Sequence, residues 1–223
     1  MPPPAKSKTT RILLVDDHAM VREGLAEAIS REQDLTVCGA AADALEALAL
    51  ASSTQPQMAI VDLTLKNSSG LDLIKQLQVL FPEIRVLVLS MHDESLYAER
   101  ALRAGARGYM NKEEATQNLL HAIRRVLKGD IYLSDAATKH MAAKALGKNP
   151  LQACLGLDQL SDRELEIFKR LGDGQNPRQI ATDLNLDRST VETYRGRLKD
   201  KLRLKDANEL LQVAIRWNKS QQG

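Results

Sequence analysis

A chain of 223 residues is too long for one small core and suits two domains. With 43% hydrophobic and 27% charged residues but only one Trp, two Phe and four Tyr, it is an ordinary globular protein whose core must be aliphatic. Cys38 and Cys154 stand far apart with no metal-ligand spacing, which argues against a disulfide framework and a zinc site, and no run approaches the roughly 18 to 20 apolar residues of a membrane span. A cytoplasmic protein with no membrane partner is the expectation.

Residues 1–10, with Pro2, Pro3 and Pro4, are expected to be a disordered lead-in. From there to about residue 128, short aliphatic runs alternate with helical patterns, as in parallel βαβ units. The runs are Arg11 to Asp16, Leu35 to Ala40, Met58 to Asp62, Arg85 to Ser90 and Arg107 to Asn111. Between them, apolar residues recur at three and four, for example Leu71, Ile74, Leu77 and Leu80 before Pro82. The pattern predicts an α/β domain over 11–130 with a five-stranded doubly wound parallel sheet. Residues 131–157 are expected to be a linker with one helix near Ala136 to Lys148, and 158–218 an all-α domain of four helices.

In doubly wound sheets, ligands collect beyond the carboxyl ends of the strands. Asp16 with Asp17, Asp62, Ser90 and Lys112 stand there. Taken singly each is ordinary, and Asp17 could merely cap the helix bearing Val21, Leu25 and Ile29. Together, three crowded carboxylates require positive charge. Mg²⁺, held by Asp16, Asp17, Asp62 and the backbone carbonyl of Thr64, is the expected counter-ion. Asp62 is then a carboxylate nucleophile for a phosphoryl group, with Lys112 and the Ser90 hydroxyl beside its oxygens. A phosphatase using an aspartyl intermediate would need a second Asp two residues on, where this chain has Thr64.

The four expected helices are Asp162 to Leu171, Pro177 to Leu184, Arg188 to Leu202 and Asp206 to Trp217. Ser161 with Glu164 forms a capping box at the first, and Pro177 opens the second. The connection through Asn185, Leu186 and Asp187 makes a helix-turn-helix, and Arg188 to Lys205 carries a net charge of +5. With Val191, Leu198 and Leu202 inward, Glu192, Thr193, Arg195, Gly196 and Lys199 are expected to point outward into a major groove, while Arg178, Ser189, Thr190 and the flanking Arg and Lys residues neutralise phosphates. The alternative use of such a face is docking on an acidic protein.

LLVDDHAMVREGL, IVDLTLKNSSGLDLI, VLVLSMHDESLYAERALRAGARGYMNKEEA and GDIYLS resemble the receiver domain of two-component response regulators of the NarL or LuxR type, a flavodoxin-like fold. LSDRELEIFKRLGDGQNPRQIATDLNLDRSTVETYRGRLKDKLRLKDANELLQVAIRW resembles their LuxR-type output domain. The resemblance implies Asp62 as phosphoacceptor, Asp16 and Asp17 as the acidic metal pair, Ser90 and Tyr109 as switch residues and Lys112 as the phosphate-contacting lysine. It implies a transcription factor phosphorylated by a sensor histidine kinase, homodimeric when phosphorylated or on DNA, and catalysing only its own aspartyl phosphorylation and dephosphorylation. Tyr109 is then expected to turn inward behind Ser90 on phosphorylation. The rival is a DNA-binding regulator whose receiver serves protein interaction without phosphorylation. The chain departs from the family at Lys66, where Pro is usual, at Glu192 for the usual Lys and at Tyr194 for the usual His. Thr64 and His92 stand where the family tunes phosphoryl lifetime, and Gly196 brings no side chain to its position beside the bases.

Overall fold

The computed structural model describes residues 9–65, 68–146, 157–184 and 186–221. These divide into two compact units, Met1–Ala142 and Ala143–Gly223. In the first, β1 (Thr10–Val15), β2 (Leu35–Ala41), β3 (Met58–Val61), β6 (Arg85–Ser90) and β7 (Gly108–Asn111) form one parallel sheet in the order β2-β1-β3-β6-β7. The aliphatic runs become strands buried on both faces, as all-parallel sheets require: Ile12 to Val15, Met58 to Val61 and Val86 to Leu89 are each at most 2% exposed.

Helices α1 (Ala19–Ser30) and α5 (Ala115–Lys128) bring Leu25, Ile29, Leu119, Ile123 and Val126 into one cluster with Ile12, Leu14, Ile60, Leu87 and Leu89 of the sheet. Each such buried aliphatic side chain contributes roughly 1.5 to 3 kcal/mol. Helices α2 (Ala44–Thr54), α3 (Gly70–Leu80) and α4 (Glu94–Ala104) add Ala47, Ala51, Leu73, Ile74, Leu77, Ala98 and Ala101 to the buried core. The strand order reverses direction between β1 and β3, so the loops after these two strands flank the switch point.

Strand ends differ slightly from expectation. Thr10 is already strand, paired with Leu35, although the lead-in was expected to run through residue 10; residues 1–8 lie outside the described residues. Asp16 and Asp62 fall one residue past their strands, yet their N–H groups still donate to Ala41 and Val15 carbonyls at 3.1 and 2.8 Å. A short antiparallel hairpin, β4 (Thr64–Leu65) with β5 (Ser68–Ser69), was not expected, since two-residue strands leave no periodic signal. The departure at Lys66, and Asn67 with it, lies outside the described residues, as does Cys154. A helix, α6 (Asp135–Ala145), stands where one was expected near Ala136 to Lys148, of which residues 147 and 148 lie outside the described residues.

The second unit contains α7 (Asp162–Gly172), α8 (Pro177–Asp183), α9 (Arg188–Leu202) and α10 (Ala207–Gln221). The capping box is complete, with Ser161 and Glu164 each accepting the other's backbone N–H, and Asn176 with Gln179 repeats it before Pro177. Phe168 and Trp217 pack with ring centroids 5.5 Å apart among Leu165, Leu171, Ile180, Val191, Leu198, Leu210 and Ala214, all buried. Asn185, in the expected turn, lies outside the described residues. Among the described residues no helix is long and apolar enough to cross a membrane.

Candidate phosphoryl site and nucleic-acid interface

The switch point of the sheet gathers Asp16 and Asp62, which are 2% and 4% exposed. Lys112, arriving one residue after β7, places its Nζ 2.6 Å from Oδ2 of Asp16 and 2.6 Å from Oδ2 of Asp62. Burial raises the Asp62 carboxyl above the usual range against the lowering pull of Lys112. Burial works to lower the Lys112 ammonium, but its contacts with Asp16 and Asp62 outweigh that and raise it, so it stays charged. Asp17 joins at the mouth. The N-cap of α1 is His18, whose side chain makes no capping bond, so Asp17 does not cap that helix. Oδ1 of Asp17 is buried and lies 2.8 Å from Nδ1 of His18.

Ligand atoms of Asp16, Asp17, His18 and Asp62 all lie within 4.8 Å of one another, a group able to hold a metal ion. Three carboxylates face a single lysine, whose contacts reach only Asp16 and Asp62, and this excess of negative charge fits a bound cation. Thr64 sits beside them, its N–H donating to Oδ1 of Asp62 at 3.3 Å. The loop is held close by Gly70: a Cβ there would lie 2.0 Å from the Asp62 carbonyl oxygen and 2.6 Å from Cα of Leu63, and the Gly70 N–H donates to Leu63 O at 2.9 Å. No other residue fits without displacing the Asp62 backbone.

Ser90, 1% exposed at the end of β6, accepts the His92 N–H at 3.3 Å. His92 then connects several groups. Its ring nitrogen Nε2 lies 2.9 Å from the Thr64 hydroxyl, its ring stacks on Tyr97 at 4.6 Å, and its carbonyl accepts the Tyr109 hydroxyl at 2.9 Å. Tyr109 is fully buried, and burial pushes its phenol well above the usual range. The ring is inward, kept by burial and by the His92 carbonyl, which is the position expected of it behind Ser90 in the phosphorylated receiver.

On α9 the buried stripe is Val191 and Leu198, with Tyr194, Arg195 and Leu202 half-buried. Ser189, Glu192 and Thr193 are exposed as expected, Thr190, Gly196 and Lys199 are half-buried, and Arg178 is exposed on α8. Arg195 is not on the outward face. Its side chain is only 20% exposed, lines a cavity of about 240 Å³ with Leu210, Leu211 and Ile215 of α10, and donates to both Glu192 carboxylate oxygens at 2.8 and 2.9 Å. It occupies an inner helical position, four residues after Val191, and buries its aliphatic stem. The outward arginines are Arg188 and Arg197, the latter 5.5 Å above the Tyr194 ring centroid. Both belong to the flanking arginines and lysines expected to neutralise phosphates, and helical spacing puts Arg197 one turn beyond the exposed Thr193. A Cβ on Gly196 would meet nothing within 4 Å, so packing does not demand glycine there.

Behind this face, the Glu164 carboxylate, 3% exposed, accepts from Lys201 Nζ at 2.6 Å and from the Ser161 N–H at 2.7 Å, tying α9 to the start of α7. The family model for the response regulator receiver domain matches residues 12–124, and that for bacterial regulatory proteins of the luxR family matches residues 158–214. The chain belongs to the two-component response regulators, with a receiver domain followed by a LuxR-type DNA-binding domain, rather than to the classical enzymes. It is 32% identical over 210 residues to the oxygen regulatory protein NreC of Staphylococcus carnosus (strain TM300), covering 92% of this chain and 97% of that one. A LuxR-family two-component response regulator from Aurantimonas sp. SI85-9A1 is 36% identical with a TM-score of 0.58, covering 62% of this chain and 99% of that one. RcsB of Salmonella enterica serovar Typhimurium, solved bound to a promoter in the presence of the phosphomimetic BeF3-, shares the fold at 21% identity and a TM-score of 0.61, covering 92% of this chain and 98% of that one.

Proposed function

We propose that this response regulator accepts a phosphoryl group on Asp62 from the phosphohistidine of a sensor histidine kinase and that the modification controls DNA binding by the second unit. The observation that carries the reading is Asp62 at the switch point, nine-tenths buried and more, with Lys112 bridging it to Asp16. An Asp62 oxygen attacks phosphorus, the P–N bond to the kinase histidine breaks, and the imidazole leaves with that electron pair. Lys112 neutralises charge on the moving phosphoryl group, and Ser90, once drawn toward it, donates its hydroxyl. Mg²⁺ would be held by Asp16, Asp17, Asp62 and the Thr64 carbonyl, and when bound it supplies positive charge to the phosphoryl oxygens. The chain's enzymology is then limited to its own aspartyl phosphorylation and dephosphorylation.

In this reading the receiver, expected over 11–130, runs from Thr10, paired with Leu35, to Tyr132, which packs in its core, a linker follows to 157 and the output domain covers 158–218, and the protein works in the cytoplasm. Glu192, Thr193 and Gly196 face base edges, and Glu192 accepts from a cytosine amino group. Arg178, Ser189, Thr190 and Lys199, with Arg188 and Arg197, meet phosphates, while Arg195 orients Glu192. Phosphorylation adds roughly −1.5 to −2 charge units and repacks the surface of α4 and α5, which favours a homodimer reading two half-sites.

The inward Tyr109 favours a second reading, in which the receiver already holds its switched arrangement and acts without phosphorylation. Intact-mass measurement after incubation with Mg²⁺ and a small phosphodonor separates the two. Wild type is expected to gain one phosphoryl group and Asp62→Asn none; an unmodified wild type would leave the second reading standing.

A further inference from the structure

Asp16, Asp17 and His18 offer three ligand groups in succession, and the phosphoryl chemistry above uses two of them. The His18 imidazole has no part in it and no capping role either, although it stands at the N-cap of α1. Its Nδ1 lies 2.8 Å from Oδ1 of Asp17 and 3.2 Å from Oδ1 of Asp16. Two donors in neighbouring positions around one octahedral ion, each about 2.1 Å from it, stand about 3.0 Å apart. Nδ1 is thus spaced from each carboxylate oxygen as one donor to a common ion is from the next, and all three atoms lie within 4.8 Å of one another.

The lysine of the cluster does not reach that side. Lys112 is engaged with the opposite oxygens, Oδ2 of Asp16 and of Asp62. Oδ1 of Asp17 is buried, with His18 Nδ1 itself as its polar neighbour. The His18 backbone N–H donates to Oδ1 of Asp16 at 2.9 Å, which fixes the chain that carries the ring, and the ring itself is 65% exposed, open to an arriving ion.

We propose that His18 is a ligand in the metal centre of this receiver and turns an all-oxygen site into a mixed one. Mg²⁺ takes oxygen donors and gains little from an imidazole, whereas first-row transition ions bind imidazole well, so the added nitrogen shifts preference toward Mn²⁺ and its neighbours. The proposal rests on reading Asp16, Asp17 and Asp62 as a metal site. Without a metal role, Nδ1–H would simply be a donor to the two carboxylates.

The test uses the full chain, with Mn²⁺ binding followed by electron paramagnetic resonance and Mg²⁺ by competition, in wild type, His18→Ala and Asp17→Asn. His18→Ala is expected to lose about tenfold in Mn²⁺ affinity while its Mg²⁺ affinity stays within about twofold. Pulsed spectra of Mn²⁺ on the wild type are expected to show coupling to a histidine nitrogen, a signal that needs no variant. Bound Mn²⁺ without nitrogen coupling, or an equal loss for both ions in His18→Ala, overturns the proposal while Asp17→Asn still abolishes binding. If wild type binds neither ion, or Asp17→Asn binds as wild type does, the metal-site reading fails and the proposal with it.

Discussion

The acidic edge of the receiver and the outward face of α9 are both built from charged side chains, but they differ in how firmly the fold determines them. Asp16, Asp62 and Ser90 are buried at strand ends, and Lys112 spans two carboxylates, so each group is held by the sheet and each affects the others. Glu192, Thr193 and Arg197 stand on an exposed surface, where single contacts are weaker and more nearly independent. The first region behaves as a unit and the second as a sum. Chemistry needs the former; recognition of a particular DNA sequence can be adjusted residue by residue only on the latter.

The largest expected effect falls on the receiver. Lys112→Ala leaves Asp16 and Asp62 facing each other without their shared cation, and is expected to cost about 3 kcal/mol in metal-free urea unfolding, since an uncompensated buried charge is left behind. The same variant should take up phosphoryl groups about a hundredfold more slowly. A variant as stable and as reactive as wild type would show that the cluster is not a unit.

Next comes Glu164, a carboxylate buried in the second unit. Burial works to raise its pKa, but the Lys201 and Ser161 contacts outweigh it and hold the carboxyl below the usual range. Its stabilising contribution is therefore present above the unfolded value, about 4.3, and is lost as pH falls through the lower folded value. Glu164→Gln is expected to cost about 1 to 2 kcal/mol at pH 7, with the gap to wild type closing in acid, as followed by denaturant unfolding. A gap that widens in acid would reverse the assigned direction.

On the outward face the effects should separate by type. Arg197→Ala is expected to weaken binding of all DNA sequences alike and to lower the salt slope by about 1, whereas Glu192→Lys should change base preference at one position by about 1 to 3 kcal/mol. Equal effects on all sequences from both would remove Glu192 from readout. Smallest is Gly196→Ala. With nothing near its Cβ, it should stabilise the helix by up to about 1 kcal/mol yet weaken DNA binding, if backbone approaches the bases there. Unchanged affinity would move the interface off that position.

Much of this was legible beforehand. The five parallel strands announce themselves as aliphatic runs, because a sheet covered on both sides must bury every residue, and the terminal carboxylates follow from where such runs stop. The capping box at Ser161 and Glu164 was equally plain. Two kinds of feature escaped. Arg195 was placed outward because an arginine is counted as polar, although its position four residues from Val191 marks an inner site that its stem can fill. The contacts of His18 and the inward Tyr109 depend on side-chain placement at loop and strand ends, where periodicity carries no information.

The central claim is that Asp62 links the two regions. DNA binding and sedimentation of wild type and Asp62→Asn, each with and without Mg²⁺ and beryllofluoride, test it directly. The account predicts that wild type alone dimerises or tightens on DNA when both additions are present, while Asp62→Asn does not respond. Identical DNA binding by the two proteins under every condition would contradict it and leave the receiver as an interaction module.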